Sequence, residues 1–314
     1  MHVLFFCNSF QNSRYARQHL LKELLPEFEL ETIILDQPVR VIGPPDWILR
    51  QHDKEFRIRE AALVVHWPIS FQERRSHLSS RLYSGREYIE RSWVVFEQAL
   101  FTTLPPAQQL NSYSRATFAA NKVSALATAT RHGIKAPKFL ISNDATAIAG
   151  FLTSHPGIVK VITDTNRIDF RSKFFPIRAE PDLPADELSV LPQLLQEEIT
   201  AIKEVRSYYF SGDVHVVEAT RDPTHPAIDV RLQEMKGVQW TATSHSAVEA
   251  LTHCLASLFE LNFFSADFLE PADSEPLFLD INPHASWDWM NRPIVRQLDE
   301  AFAGSLRRIL QSKA

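Results

Sequence analysis

An acid and an amide in the apolar run FLDINP are the first residues of this chain that suggest chemistry. Asp280 and Asn282 lie two positions apart in that run. Side chains alternate between the two faces of a strand, so both should share a face, together with Phe278. The pattern predicts that something polar covers that face.

A second acid, Asp267, lies in the preceding run FFSADFLE, and the turn-rich stretch PADSE between the two runs predicts an antiparallel hairpin. If the loop has an even number of residues centred on Asp273 and Ser274, Asp267 lies opposite Asp280. Carboxylates whose Cβ atoms are about 5 Å apart repel each other in a bare sheet. A divalent cation reverses that interaction, and Asn282 would supply a third oxygen. Such hard oxygen ligands favour Mg²⁺ that also holds phosphate.

The same residues allow two other arrangements. One acid could pair with an arginine while the other forms a local hydrogen bond. A loop with an odd number of residues would place the two acids on different faces. The metal hypothesis therefore depends on other parts of the chain.

Phosphate-binding groups must come from side chains, because the chain has neither GxxxxGK(S/T) nor GxGxxG and only eight glycines. Lys122 and Lys160 are the candidates. Lys160 lies inside the apolar strand GIVKVI, where an ammonium is costly unless an anion meets it. The alternative is a lysine that reaches solvent at a strand edge. Arg206 and Arg231 lie in extended segments, and each could bind an anion or form an ordinary salt bridge.

The run LPQLLQEEI marks a candidate nucleobase site, because an apolar strand ends there in Gln196, Glu197 and Glu198, followed by Ile199. Backbone groups of such a strand can contact an adenine edge, and an acidic side chain can accept hydrogen bonds from ribose hydroxyls. A solvated strand end is the alternative.

The elements that must position these residues fall into two predicted domains. Apolar strands at HVLFFC, LETIIL and ALVVHW alternate with helical segments, which predicts a small α/β layer with parallel pairing. A helix over 86–100 closes this layer, and Pro105 and Pro106 interrupt the pattern after it. We therefore expect an N-terminal domain over 1–110 and a second domain over 111–314.

The second domain is predicted to be α+β. One helix should run from Ser114 past Lys122 to a stop at Gly133, and a short helix should begin near Asp144. The segment 204–220 predicts a hairpin that turns at residues 211–213. Helices are expected again at 246–261 and 293–310.

Composition excludes several classes of protein. The 33 basic and 38 acidic residues give a formal charge of -5 with no long run of one sign, so neither nucleic acid nor an anionic membrane is an expected partner. Cys7 and Cys254 lack zinc-ligand spacing. The N-terminal run reads as a core strand rather than a signal peptide, and no apolar stretch approaches the roughly 20 residues of a membrane span. We expect a cytoplasmic protein.

The order of these features resembles the ATP-grasp ligases, and the nearest likeness is to the peptide-tailoring maturases of the microviridin or graspetide type. The resemblance covers about residues 111 to 290, with an N-terminal α/β (pre-ATP-grasp) domain before it. The stretches that support it are NKVSALATATRHGIKAP, GIVKVI, QEEI, EVRSYYFSGDVHVV, AIDVRLQ, SADFLE, FLDINP and NPHASWDWM.

This resemblance implies an α+β ATP-grasp fold and roles for the candidate residues. Lys122 and Lys160 would bind ATP phosphates, residues 196–199 would border adenine, and Arg206 and Arg231 would face the γ-phosphate or an acyl phosphate. Magnesium would be held by a set of three residues, Asp267, Asp280 and Asn282. Asp280 stands where the family usually has Glu, which leaves the number of bound metals open, and the loop after Lys160 lacks glycine.

The implied chemistry is ATP-dependent activation of a carboxylate as an acyl phosphate, followed by attack of an amine or hydroxyl. In the peptide-tailoring group this joins side chains of one precursor peptide as an ester or amide, and the N-terminal domain would bind the leader. Two alternatives stay open: a ligase that adds an amino acid to a small acid or a protein tail, and a catalytically inactive module that binds nucleotide and peptide. The expected cofactors are ATP and Mg²⁺, the expected partner is a peptide or small carboxylate, and a homodimer is compatible with the family.

Overall fold

The helices and strands below come from a computed structural model that describes residues 1–7, 21–34, 39–44, 46–66, 86–160, 162, 177–178, 191–221, 239–272 and 274–313. The strands described are, in chain order, β1 (His2–Cys7), β2 (Glu29–Ile34), β3 (Arg40–Ile42), β4 (Ile48–Gln51), β5 (Lys54–Arg57), β6 (Leu63–His66), β7 (Gln109–Leu110), β8 (Phe139–Ser142), β9 (Gly157–Lys160), β10 (Ile177–Arg178), β11 (Gln193–Glu197), β12 (Lys203–Phe210), β13 (Asp213–Thr220), β14 (Thr241–Thr243), β15 (Phe263–Glu270) and β16 (Leu277–Asn282). The helices described are α1 (Arg86–Thr102), α2 (Tyr113–Ala120), α3 (Lys122–Arg131), α4 (Ala145–Ser154), α5 (Ser246–Phe259) and α6 (Arg292–Gln311).

The chain forms two compact units, and each of them is built from segments that are separated in the sequence. The first contains residues 1–117, 261–263 and 286–314, and the second contains residues 118–260 and 264–285. The C-terminal segment that was predicted to continue the second domain is thus grouped with the N-terminal residues. The functional domains 1–110 and 111–314 stay a prediction.

A parallel sheet of order β2-β1-β6-β7 forms the centre of the first unit, and all its described pairings are parallel, as predicted. A separate antiparallel sheet, β3-β4-β5, was not predicted. Apolar side chains from β1, β4 and β6 form one core with Leu100 and Phe101 at the end of α1 and with Leu104 just after it. No helix among the described residues is long and apolar enough to cross a membrane.

Two buried polar contacts hold the returning C-terminal segments within this first unit. The amide of Asn111 donates to the Phe263 carbonyl at 2.5 Å, and its oxygen accepts from the backbone N–H groups of Asn262 and Phe263 at 2.9 Å. The indole N–H of Trp287 donates to Asp299 of α6 at 2.9 Å. These bonds compensate the polar groups for their loss of water.

The second unit contains a small antiparallel sheet of order β10-β9-β11-β8. One face of this sheet packs on α4, where Leu195 and Leu140 meet Ile148, Phe151 and Leu152. The helix begins as predicted at Asp144, whose carboxylate accepts from the Ala147 N–H at 2.7 Å. The side chains that alternate with Leu195, among them Gln196, lie on the other face.

A larger sheet of order β14-β13-β12-β15-β16 completes the second unit. The predicted hairpin is confirmed: β12 and β13 join through Ser211 and Gly212, both of which have positive φ, as a tight two-residue hairpin turn requires. Helix α5 covers one face of this sheet, since the buried Thr252 hydroxyl donates to Ser207 at 2.7 Å. Ser207 and Arg206 are consecutive in β12, so Arg206 points away from α5.

The single helix predicted from Ser114 to Gly133 is in fact two helices. Asn121 adopts an extended conformation between α2 and α3, and its side chain accepts from the Ser124 N–H at 3.0 Å. Asn is a favoured helix N-cap, which explains the interruption. Lys122 is therefore the first residue of α3 rather than a mid-helix residue, whereas the predicted stop at Gly133, with φ of 82°, is confirmed.

Candidate active site

The two aspartates face each other across the β15–β16 ladder, as predicted. Asp267 pairs with Asp280, and Ser265 pairs with Asn282, so the two acids share one face of the sheet. Toward the turn, however, Phe268 pairs with Phe278, which leaves Leu279 as the extra residue of a β-bulge. The strand register expected from an even-numbered loop is therefore found only in the part of the hairpin that contains the two acids.

The bulge also shows that one prediction was wrong. Phe278 was expected on the same face as Asp280. Because Phe278 pairs with Phe268, the chain neighbour of Asp267, it lies on the opposite face, where it is fully buried against the Phe268 ring. A bulge shifts the alternation by one residue and re-aims the side chains beyond it. Here it allows β16 to present Asp280 on one face and to bury Phe278 in the other.

Arg206 is the partner of Asp267. Its Nε donates to one carboxylate oxygen at 2.5 Å and a terminal nitrogen donates to the other at 2.7 Å. Strand β12 lies on the side of β15 away from β16, so Arg206 approaches Asp267 from the flank away from Asp280. Burial lowers the pKa of Arg206, but the carboxylate of Asp267 outweighs it and leaves this pKa above its ordinary value.

Asp280 interacts electrostatically with both predicted phosphate-binding lysines. Its carboxylate is 3.8 Å from the Lys122 ammonium and also accepts from the Ile281 N–H at 3.0 Å. Burial raises the pKa of Asp280, Asp267 adds to the rise, and Lys122 and Lys160 oppose it. The fold therefore holds this acid in an environment that disfavours its charge.

Lys160 is the least compensated cation of the group. Burial lowers the pKa of its ammonium; Asp280 opposes this shift and the neighbouring Lys122 adds to it. Within the described part of the chain its ammonium has no carboxylate within salt-bridge distance. A half-buried ammonium without a carboxylate at salt-bridge distance is a site where an anionic ligand would be stabilised.

Two further charged residues belong to this region and were not assigned from the sequence. Glu204 lies two residues before Arg206 on the same face of β12, and its carboxylate is 3.5 Å from the guanidinium of Arg221. Glu204 also acts on Lys160 electrostatically. Two-residue spacing in the strand was the signal that could have identified Glu204, whereas no sequence pattern pointed to Arg221.

Several polar groups of the predicted adenine-binding segment already form hydrogen bonds within the protein. The N–H groups of Glu197 and Glu198 donate to the Lys138 and Pro156 carbonyls at 2.8 and 2.7 Å. The Glu198 carboxylate accepts from Arg178 at 2.7–3.0 Å, so a ribose hydroxyl would have to share this carboxylate with Arg178. The Ile199 N–H donates to no described residue. Gln196 is fully buried, and its side-chain amide has no hydrogen-bond partner among the residues that the structure describes.

The oxygen atoms of the predicted metal-binding set are of the type that Mg²⁺ prefers. Among described residues, no group of three or more His, Cys, Asp or Glu is placed to hold a metal, so the set consists of two carboxylates and the Asn282 amide. The Asn282 oxygen accepts from the His284 N–H at 2.9 Å. An ionised carboxylate has about four lone-pair sites, so Asp267 keeps acceptor capacity while Arg206 binds it. Arg231 and the loop after Lys160 lie outside the described residues.

Comparison with solved structures identifies the fold. Macrocyclase MdnC of Microcystis aeruginosa MRC, bound with precursor peptide MdnA, matches with a TM-score of 0.80 at 18% identity, covering 98% of this chain and 100% of that one. A RiPP-associated ATP-grasp ligase of Chryseobacterium gregarium, in complex with ADP and a leader and core peptide, matches at 0.79 and 16%, covering 100% and 97%. The chain has the ATP-grasp fold. The ATP-grasp ligase PsnB, complexed with minimal precursor, Mg and ADP, matches at 0.71 and 17%, covering 98% of each chain.

The predicted α+β ATP-grasp fold is thereby confirmed over nearly the whole chain, including its N-terminal part. No family model and no curated protein sequence matches it. At identities of 16–18% the likeness concerns the ATP-grasp fold alone. The roles of the individual site residues therefore depend on the local geometry.

Proposed function

We propose that this ATP-grasp chain is an ATP- and Mg²⁺-dependent ligase that joins side chains of a ribosomally made peptide through an acyl phosphate. Three solved structures of the same fold contain a precursor or a leader and core peptide, and two of them contain ADP. The residues around Asp267 and Asp280 support the nucleotide and metal parts of this proposal. An ester or an amide would form according to whether the attacking group is a hydroxyl or an amine.

The single observation on which the proposal depends is the pairing of Asp267 with Asp280 beside three cations. Two acids on neighbouring strands are unfavourable in a bare sheet, and here they lie next to Lys122, Lys160 and Arg206. A purely structural ion-pair network needs no second opposed acid and no lysine without a close anion. A magnesium-bound polyphosphate requires both kinds of charge.

The protein groups would act mainly through charge and position. Asp267, Asp280 and Asn282 would hold Mg²⁺, which supplies neutralisation of phosphate charge when it is bound. Lys122, at the start of α3, would meet a phosphate together with the N-terminal N–H groups of that helix. Lys160 would bind a second phosphate oxygen, and Arg206 would move from Asp267 to the transferring phosphoryl group.

The atoms of the proposed reaction balance without any further reactant. A substrate carboxylate oxygen attacks the γ-phosphorus of ATP, and ADP leaves. The amine or hydroxyl then attacks the acyl carbon, inorganic phosphate leaves, and the nucleophile loses its proton. The peptide becomes lighter by one water for each bond formed.

The test is to incubate the protein with ATP, Mg²⁺ and synthetic peptides that carry Asp or Glu together with Thr, Ser or Lys. We expect ADP, phosphate and a peptide lighter by one water. Lys160→Ala should abolish all three products, whereas Lys135→Ala, which removes an exposed lysine paired with Glu275, should not. Normal turnover by Lys160→Ala would refute the proposed mechanism.

The same assay separates the two alternatives. A free amino acid added to a small acid or to a protein tail, with no peptide dehydration, would indicate the amino-acid ligase. Tight ATP binding without ADP formation, with every peptide tested, would indicate the inactive module. Asp280 stands where the family usually has Glu, and this difference is the reason for testing the inactive alternative.

A further inference from the structure

Tyr208 is a buried polar residue beside the site that the proposed function does not use. It is 0% exposed and lies two residues after Arg206 in β12, so both side chains are on the same face of the larger sheet. The guanidinium of Arg206 donates a hydrogen bond to the Tyr208 hydroxyl. Because Tyr208 is fully buried, it can act on a substrate only through the groups that it contacts.

The next residue along the strand is also a tyrosine, but its surroundings differ. Tyr209 points to the opposite face, where its ring stacks on Phe264 at 5.2 Å and meets His253 of α5 edge-on at 5.7 Å. The ring of Tyr208 instead stacks on Phe210, with the centroids 6.2 Å apart. Tyr209 is therefore a comparison residue of the same type on the face away from Arg206.

The bond from Arg206 to Tyr208 complements the bonds from Arg206 to Asp267. A guanidinium carries five N–H donors in a rigid planar fork. Two of them bind the Asp267 carboxylate, and the others remain available to the Tyr208 hydroxyl and to a phosphate. Tyr208 and Asp267 together fix the plane of the fork.

We propose that Tyr208 is a positioning residue that keeps the guanidinium of Arg206 oriented toward the transferring phosphoryl group when Arg206 leaves Asp267. This inference rests on the proposed function, in which Arg206 makes that move and Asp267 becomes a metal ligand. A guanidinium that lost every fixed contact would rotate freely, and ordering it again would cost entropy. The bond to Tyr208 persists through the move, so the fork turns about a fixed point.

The test is steady-state ADP formation with ATP, Mg²⁺ and the peptides named above. Tyr208→Phe keeps the ring and removes the oxygen that Arg206 binds. It should lower kcat about tenfold, because a hydrogen bond to a charged group is lost in the transition state. The KM for ATP should stay near the wild-type value, because Lys122 and Lys160 bind phosphate before the transfer. The matched control Tyr209→Phe should leave both constants unchanged.

A second measurement asks whether Tyr208 acts through Arg206. The ammonium of Arg206→Lys is a point charge with rotatable donors, and it has no planar fork to orient. In that background Tyr208→Phe should lower kcat no further, so the two substitutions should not be additive. A residue with a merely structural role would lower kcat by the same factor in both backgrounds.

Four results would overturn the inference. If Tyr208→Phe keeps the wild-type kcat, or does not fold at the assay temperature, Tyr208 is not a positioning residue and the proposed function is unaffected. If it lowers kcat equally in the Arg206→Lys background, its role is structural. If the wild type forms no ADP with any peptide, the proposed function fails and this inference fails with it.

Discussion

Replacing Asp267 by asparagine removes the carboxylate that accepts two hydrogen bonds from Arg206, at 2.5 and 2.7 Å. The structure provides a matched comparison, because the facing residue Asp280 can be replaced in the same way. Asp267 stabilises the charge of its partner, which is why the pKa of Arg206 is above its ordinary value. Asp280 is in the opposite situation, since burial raises its pKa and thereby disfavours its own charge.

The two substitutions should therefore change stability differently. Removing one partner of a buried ion pair costs about 3–5 kcal/mol. The Asp267 side chain is 32% exposed and the amide oxygen of the introduced asparagine would keep one bond, so we expect about 2 kcal/mol for Asp267→Asn. Asp280→Asn should leave stability unchanged or raise it, because the amide keeps the Ile281 bond and removes a disfavoured charge. Both should abolish Mg²⁺-dependent ADP formation.

The assay is urea unfolding of both variants at neutral pH, with thermal unfolding as a second measure. Asp267→Asn should lower the melting temperature by about 4–8 °C, given roughly 2–4 °C per kcal/mol for a unit of this size. The m-value should stay constant, which would assign the change to the native state. If Asp280→Asn destabilises the protein as much as Asp267→Asn does, the different roles assigned to the two acids are wrong.

Three further predictions concern neighbouring features. Lys160→Met should raise the urea midpoint of the protein alone, because burial lowers the pKa of this ammonium and the methionine has no charge to desolvate; a lower midpoint would contradict this. Mn²⁺, used as a probe of the metal site, should bind on the order of tenfold more tightly when ADP is present, because nearby cations neutralise the two acids when ADP is absent. Equal Mn²⁺ affinity with and without ADP, measured by calorimetry, would disprove the coupling. Gly212→Ala should cost about 1–2 kcal/mol in urea unfolding, because Gly212 has φ of 109° and no atom crowds its Cβ position, so the cost is conformational; an unchanged midpoint would argue against it.

Local sequence signals predicted several parts of the fold, and one pairing in the site, correctly. The turn at Ser211 and Gly212, the helix start at Asp144 and the helix stop at Gly133 depend on residues a few positions apart, and their preferences act within that range. The pairing of Asp267 with Asp280 was also predicted, because a short hairpin limits the available registers. These features required no knowledge of the rest of the chain.

The incorrect predictions concern segments whose local sequence pattern is compatible with more than one structure. A bulge at Leu279 moved Phe278 to the other face, because the core on that side could bury a second phenylalanine against Phe268. The helix through Asn121 was interrupted because this side chain can cap a helix as well as continue one. Each choice depends on packing or hydrogen-bond partners that periodicity does not contain.

By itself, the sequence determined the types of the charged residues, their spacing within each strand, and the absence of a glycine-rich phosphate loop, because these are properties of adjacent positions. Only the tertiary structure decided that Arg206 pairs with Asp267, that Asp280 interacts with both Lys122 and Lys160, and that Gln196 is buried without a hydrogen-bond partner among the described residues. Those contacts join strands and helices that are distant in the chain. Their energies depend on burial and distance, which follow from how the sheets pack and not from the order of the residues.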